Sequence, residues 1–456
     1  MSSTRQEGFR IAYVYRHDGT RGGVQPSPLA NEDSNCAAPH TSVILTHRYI
    51  ILGIATLNRV RTSGLLILSL AFGAAVAGAC GGGDGDVEEN PFGLKSEFVA
   101  PAGNADAIAF APDGRLFYVE HWSGDIRVIS AEGEPLPDPF AHIDDVAANI
   151  LIGVTGLAID PEFESNHHVY VFYSRIDRGP PPTSRPAIVR FTESRNKGID
   201  PEYIGEELPE INQQRSFNAN GSIHFGPDGF LYASLGDFDM PEEKGPEGKE
   251  LPQDLGTAVG KLLRIDKTDG SAPPDNPFVD DANTDPRIFA YGFRNPFNFV
   301  FHPDSGRIYG SDNSGNACEE VNIIEEGKNY GWLEAGETAF TDCTSLPGAA
   351  AIHYQAREKF APENFGSTVG VTGMEFISGS VYPVLGDSLV FCEAGTQLMR
   401  RLVLAPPNFD QVTANDVIAR DCWLDVTVGP DGLIYYSNLS EIRRLPPPPE
   451  SPSSTP

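Results

Sequence analysis

One hairpin, written six times, restricts this chain more than any other feature. "AIAFAPDGRLFYVEHWSGDIRVI" begins at Ala107, "GLAIDPEFESNHHVYVFYS" at Gly156 and "SIHFGPDGFLYASLGD" at Ser222. "NFVFHPDSGRIYGSDNSG" begins at Asn298, a worn copy "GMEFISGSVYPVLGDSLVFCEAGTQLMRRL" at Gly373, and "DVTVGPDGLIYYSNLSEIRRL" at Asp425. Each copy alternates apolar residues with others, as a strand does, around a turn related to Pro-Asp-Gly. Pro presets the turn's φ, Asp bonds back to the backbone, and Gly accepts φ > 0. Recurrence roughly every 45–75 residues is the mark of a repeat architecture. The chain is therefore predicted to be all-β, a six-bladed β-propeller of four-stranded antiparallel blades. The insertions 239–256 and 267–285 are expected as loops on one face.

Charge narrows the partners. With 63 acidic against 33 basic residues the formal charge is −30. Such a surface repels phosphate backbones, so no nucleic-acid partner is expected; divalent cations suit it better. Residues 61–80, "RTSGLLILSLAFGAAVAGAC", run from Arg61 through an apolar stretch to small residues ending at Cys80. That is the layout of a secretory signal with a lipobox-like end. It is short for a membrane span, so membrane attachment is expected only through a lipidated Cys80. Residues 81–95 read as a flexible acidic tether, 96–445 as the folded domain, and 446–456 as a Pro-rich disordered tail. Residues 1–60 show no coherent pattern and are expected to be a mis-assigned start, with Val60 the initiator. The expected location is outside the cytoplasm, as a periplasmic or cell-surface lipoprotein of a bacterium.

Four cysteines fall in the folded domain: Cys318, Cys343, Cys392 and Cys422. An even set in an exported chain favours disulfides. Of three connectivities, nearest-neighbour pairing joins Cys318 to Cys343 and Cys392 to Cys422.

Three further stretches, "GKLLRIDKTDGSAPPDNPF" (260–278), "IFAYGFRNPFNFVFHPDSGRIYGSD" (288–312) and "EEVNIIEEGKNYGW" (319–332), carry a resemblance. They resemble the glucose/sorbosone dehydrogenase family, exported propellers that oxidise sugars with pyrroloquinoline quinone (PQQ) and calcium. The likeness spans residues 96–445. It implies that Arg294, with Asn295 beside it in "GFRNP", meets the quinone oxygens, where a guanidinium stabilises developing negative charge. It also implies that backbone carbonyls of the loop 312–315, including Ser314 and Gly315, hold an active-site calcium. Glu320 and the carbonyl of Tyr330 would bind a second, structural calcium through hard oxygen donors.

Elsewhere the residues depart from that pattern. The family's base is a histidine eight residues before the glycine of "FGPDG"; counting back from Gly226 lands on Asn218. An amide does not titrate near neutral pH, whereas imidazole does. His224 reads as a packed strand residue. The family's cofactor lysine, in the sixth blade's first hairpin, aligns near Gly395, and two arginines that meet quinone carboxylates fall on Cys422 and Leu424. Arg400 or Arg401 would compensate only if the register slips. Two functions follow for a sugar or glycan partner. One is a PQQ-dependent sugar dehydrogenase using calcium; the other is a catalytically degenerate, calcium-binding propeller serving as a cell-surface glycan- or protein-binding module.

Overall fold

The structure, a computed structural model, describes residues 91–149, 152–177, 183–205, 207–210, 218–219, 221–240, 243–313, 319–333 and 369–448. Six antiparallel sheets make up a six-bladed β-propeller; five have four strands and the fourth blade has three among the described residues. Every hairpin repeat forms the first two strands of one blade. The first strands are Ala105–Phe110, Val154–Ile159, Ile223–Phe225, Phe299–Phe301, Val371–Ile377 and Val426–Val428. Five of them, with Phe297 and Asn298 just before the fourth, line a common axial cavity of about 220 Å³. Ring closure comes from the N-terminus: strand Glu97–Pro101 adds as the outermost strand of blade six, pairing with Glu441–Leu445.

Period-two alternation explains why the blades stack. Along a strand, successive side chains leave on opposite faces, and here both faces are covered by neighbouring blades. Phe117 and Val119 of blade one pack toward Val169 and Val171 of blade two. Leu116 and Tyr118, which alternate with them along the strand, pack toward Tyr435 and Ile442 of blade six. Six apolar clusters fill the six gaps in this way. Phe117 is fully buried, so truncating it to alanine costs about 3–5 kcal/mol.

Two expectations need correction. The insertions 239–256 and 267–285 lie on opposite faces, because they flank the two ends of one strand, Lys261–Ile265. The hairpin beginning at Gly373 opens blade five, since the chain's last hairpin, closed by the N-terminal strand, is blade six. Among the described residues no helix is long and apolar enough to cross a membrane.

Candidate functional site at the propeller mouth

At one end of the channel the first strands begin and the second strands finish. Asn218, Asp237, Arg294, Asn295, Asp312, Asn313 and Glu320 all gather at this mouth, on blades three and four. Gly236 permits the convergence: a Cβ there would stand 2.1 Å from the Asn218 carbonyl oxygen and 2.8 Å from that of Arg294. Asn218 has φ 51°, a left-handed conformation that asparagine tolerates better than most residues.

Asn218 is buried and its amide nitrogen donates to Asp237 Oδ1 at 3.0 Å. The other oxygen of Asp237 accepts the Trp332 indole N–H at 2.9 Å, and the Asp237 backbone N–H donates to the Arg294 carbonyl at 2.7 Å. The carboxylate, which also accepts the Asp239 backbone N–H at 2.9 Å, holds the amide in place, and the Asn218 amide has no site that takes a proton from a substrate hydroxyl near neutral pH.

Arg294 sits half-buried over the Trp332 ring, its guanidinium carbon 5.6 Å from the ring centroid. One guanidinium nitrogen donates to the Asn313 carbonyl at 2.7 Å. The backbone N–H groups of Arg294 and Asn295 point at the Asp312 carboxylate, at 3.2 and 2.7 Å. Burial pushes the Asp312 carboxyl up to about 7, against the pull of those N–H groups and of Arg294. Asn313 in turn locks blade four to blade five, its amide exchanging two hydrogen bonds with the Val371 backbone. Ser314 and Gly315 lie outside the described residues, as do Cys318 and Cys343.

Glu320 pairs with Asp312 across two strands. It is buried, and desolvation, with the Asp312 charge beside it, pushes its carboxyl up to about 8. Asn322 donates to Glu320 at 3.0 Å, while the Asn322 amide oxygen is buried with no hydrogen-bond partner among the described residues. Two raised carboxyls and an orphaned amide oxygen fit a hard cation. Among the described residues no group of three or more carboxylate, imidazole or thiol ligands gathers as a metal site, so carbonyl oxygens would have to complete the shell. The Tyr330 side chain is used otherwise: its hydroxyl donates to the Ile323 carbonyl at 2.7 Å and its ring stacks on Phe293. Only its carbonyl is left for the role the resemblance assigns.

Blades five and six differ most from a quinone platform. Gly395 closes its backbone onto the Val369 carbonyl at 2.7 Å. Beside it Glu393, fully buried, pairs with Arg400 at 2.7 Å. Arg401 is held by Asp416 and the Leu385 carbonyl and packs on Phe92. Cys392 and Cys422 form the expected disulfide, tying blade five to the segment that enters blade six. Thus the positions aligned with a lysine and two arginines carry a glycine, a disulfide sulfur and Leu424.

Among the described residues no histidine at the mouth replaces the base. His121, buried in blade one, has Nδ1 2.5 Å from Asp106 and Nε2 2.6 Å from the Asn149 carbonyl. Burial alone would lower its pKa; Asp106 and the carbonyls reverse that and raise it. With both nitrogens facing acceptors, the ring is an imidazolium clamp. His224 lines the axial cavity, bonded to Asn298 at 2.9 Å, and burial pushes it down to about 4, so it is neutral. Sequence reasoning missed the Asp106–His121, Asp237–Trp332 and Glu393–Arg400 pairs. A signal existed: His121, Asp237 and Glu393 each stand at or just past the end of a hairpin's second strand.

Comparison with known proteins fits this geometry. Residues 103–442 match the family described as Glucose / Sorbosone dehydrogenase. Aldose sugar dehydrogenase YliI of Escherichia coli is 26% identical over 333 residues, 72% of this chain and 85% of that protein. Quinoprotein glucose dehydrogenase B of Acinetobacter calcoaceticus is 29% identical over 247 residues, and the match spans about half of each chain, 50% and 49%. A solved oxidoreductase (glucose dehydrogenase) from Thermus thermophilus superposes with TM-score 0.63 at 26% identity, over 77% of this chain and 100% of that one.

Proposed function

The chain belongs to the glucose/sorbosone dehydrogenase family, and from that premise we propose that it binds a sugar at the propeller mouth without the family's quinone-linked oxidation. The fold is that of a sugar dehydrogenase-like propeller. The observation that carries the reading is Asn218, standing where the base is required and donating its amide to Asp237. Without a base, the hydroxyl proton that must leave an oxidised sugar has no acceptor at that position.

PQQ brings three carboxylates, and charges leaving water need paired partners. Among the described residues Arg294 is the one cation that meets the family's pattern, while Glu393 adds a buried carboxylate to the platform. These residues do not fit the cofactor. At ~1.5–3 kcal/mol per charged hydrogen bond, three missing cations weaken its binding by several kcal/mol. Calcium fits better. Glu320, Asn322 and the Tyr330 carbonyl would hold it as a brace for blade four, where its charge offsets the buried Glu320 and Asp312 carboxyls. Its contribution there is structural.

Sugar binding rests on the half-buried Arg294 guanidinium, which offers N–H donors to a neutral polyol and is held in place by the buried Trp332 ring beneath it and by the Asn313 carbonyl. The relative named as an aldose sugar dehydrogenase supports an aldose as ligand. Export, with a lipid anchor at Cys80, is part of the proposal. The Cys392–Cys422 disulfide supports it, because such bonds persist in oxidising compartments.

A second reading, PQQ-dependent oxidation of the sugar with calcium, is favoured by the retained Arg294 and by the relative named as a quinoprotein. Calorimetry with aldoses, together with dye reduction in the presence of PQQ and calcium, separates the two. Binding of an aldose without dye reduction, lost in Arg294→Ala, supports the first. Dye reduction by the purified protein overturns it.

A further inference from the structure

We propose that the seam between blades six and one carries a second carbohydrate subsite, built on Trp122 and Trp423, that takes neutral sugar units of an extended glycan. This deepens the sugar-binding reading above and rests on it for the class of ligand. The chain has three tryptophans, Trp122, Trp332 and Trp423. All three stand on the mouth face. Trp332 bonds Asp237 beside Arg294, Trp122 follows the second strand of blade one, and Trp423 precedes the first strand of blade six.

Trp122 is 50% exposed, as is Leu439 at 44%. An indole left in water is usually mobile; this one is fixed. Its ring meets the His121 ring edge-on at 4.9 Å. With the Asn104 amide oriented to satisfy both neighbours, its oxygen accepts the Trp122 indole N–H and its nitrogen donates to the Leu439 carbonyl, each at 2.7 Å. The Asn104 backbone is held too, its N–H donating to Leu439 and its carbonyl accepting from His121, both at 3.1 Å. His121 is itself clamped between Asp106 and Asn149. The platform is therefore preorganised.

From Leu439 the bonded chain continues. Asn438, its neighbour, donates to Asp421 at 2.6 Å, and Asp421 accepts the Trp423 indole N–H at 3.2 Å. An unbroken strip, Trp122–Asn104–Leu439–Asn438–Asp421–Trp423, thus crosses the seam where the N-terminal strand closes the ring. It has an indole at each end, amides between them, and one carboxylate, Asp421, which is exposed. No lysine or arginine belongs to it, and the His121 imidazolium beside Trp122 is buried and paired with Asp106. The strip therefore disfavours anionic ligands on a protein of charge −30. Its middle presents the exposed Leu439 beside the half-buried Asn104, with the Asn438 amide buried beneath, so Asp421 is the group that meets a ligand hydroxyl. Indole faces take the C–H faces of pyranose rings, and rigid aromatics concentrate binding energy at small conformational cost. Asp421 accepts a sugar hydroxyl as a charge-assisted hydrogen bond.

The full chain is tested by affinity electrophoresis in gels containing amylose, xylan or hydroxyethylcellulose. Titration with the corresponding hexasaccharides and with glucose and xylose follows. At least one polymer is expected to retard the wild type. Trp122→Ala and Asp421→Ala each weaken hexasaccharide binding about tenfold while leaving monosaccharide binding unchanged. Trp122→Phe, which keeps an aromatic face, retains most of the binding and guards against a folding artefact. Arg294→Ala shows the converse pattern, with monosaccharide binding lost. Hexasaccharide binding unchanged in Trp122→Ala, or abolished by Arg294→Ala alone, overturns the subsite and leaves the mouth reading intact. A wild type that binds monosaccharides but no polymer does the same, as does a strip that captures a protein instead of a glycan. A wild type that binds no sugar of either size overturns both.

Discussion

Replacing Glu375 with glutamine removes one of the carboxyls that face one another in the axial channel, and its effect on stability can be worked from the structure. Glu375 lies on the first strand of blade five and lines the cavity with Asp106, Asp425, His224, Asn298 and Ser222. Its Oε1 accepts the Phe376 N–H at 2.8 Å, a bond glutamine can keep. Burial pushes its carboxyl from 4.5 to about 7; Asp425, also raised to about 7 by burial, feels the Glu375 charge as a further cause. Below pH ~4.5 folded and unfolded chains both hold the Glu375 proton. As pH rises toward 7 the unfolded chain releases it while the fold retains it, so stability falls; above 7 the whole cost is present. The gap corresponds to about 3 kcal/mol, a ceiling because Glu375 is only partly buried. Glu375→Gln should match wild type near pH 4.5 and exceed it by up to about 3 kcal/mol at pH 8.5. Urea unfolding followed by circular dichroism across that range measures the difference. A variant less stable than wild type at pH 8.5, or a difference independent of pH, would refute the reasoning.

The other predictions concern the clamps and the cation. Cys392→Ala with Cys422→Ala, opening a bond between residues 30 apart, should cost about 3–4 kcal/mol on the chain-entropy estimate; unfolding with and without reductant should show the same loss in wild type and none in the double variant. His121→Ala should lose about 2–3 kcal/mol at pH 6. Because the folded His121 pKa is raised, that stabilisation is complete below the unfolded value and fades as pH climbs through the folded one, and a loss that instead grows with pH contradicts the imidazolium clamp. Added calcium should raise the melting temperature of wild type and chelator should reverse it, with Glu320→Gln indifferent to both; an equal response in the variant removes Glu320 from the site.

What could be read from the chain was whatever neighbouring residues specify. Alternation around Pro-Asp-Gly turns marks strands locally, so all six hairpins and the architecture were visible without coordinates. The Cys392–Cys422 bond followed from nearness in sequence. Contacts between residues far apart in the chain were not visible. Trp332 reaches Asp237 across 95 residues and Asn298 reaches Asp425 across 127; no local pattern announces either. The two insertions were placed on one face because sequence does not say which end of a strand a loop leaves. Asn218 was legible as a missing base, but its bond to Asp237, which makes the amide a fixed donor, depends on Gly236 letting two backbones meet.

Equilibrium dialysis of the purified protein against micromolar PQQ, with calcium present and quinone absorbance as the readout, tests the loss of the cofactor platform most directly. Free and protein compartments should show equal quinone, before and after Asn218→His. Quinone concentrated on the wild-type protein, and released by Arg294→Ala, would contradict the account.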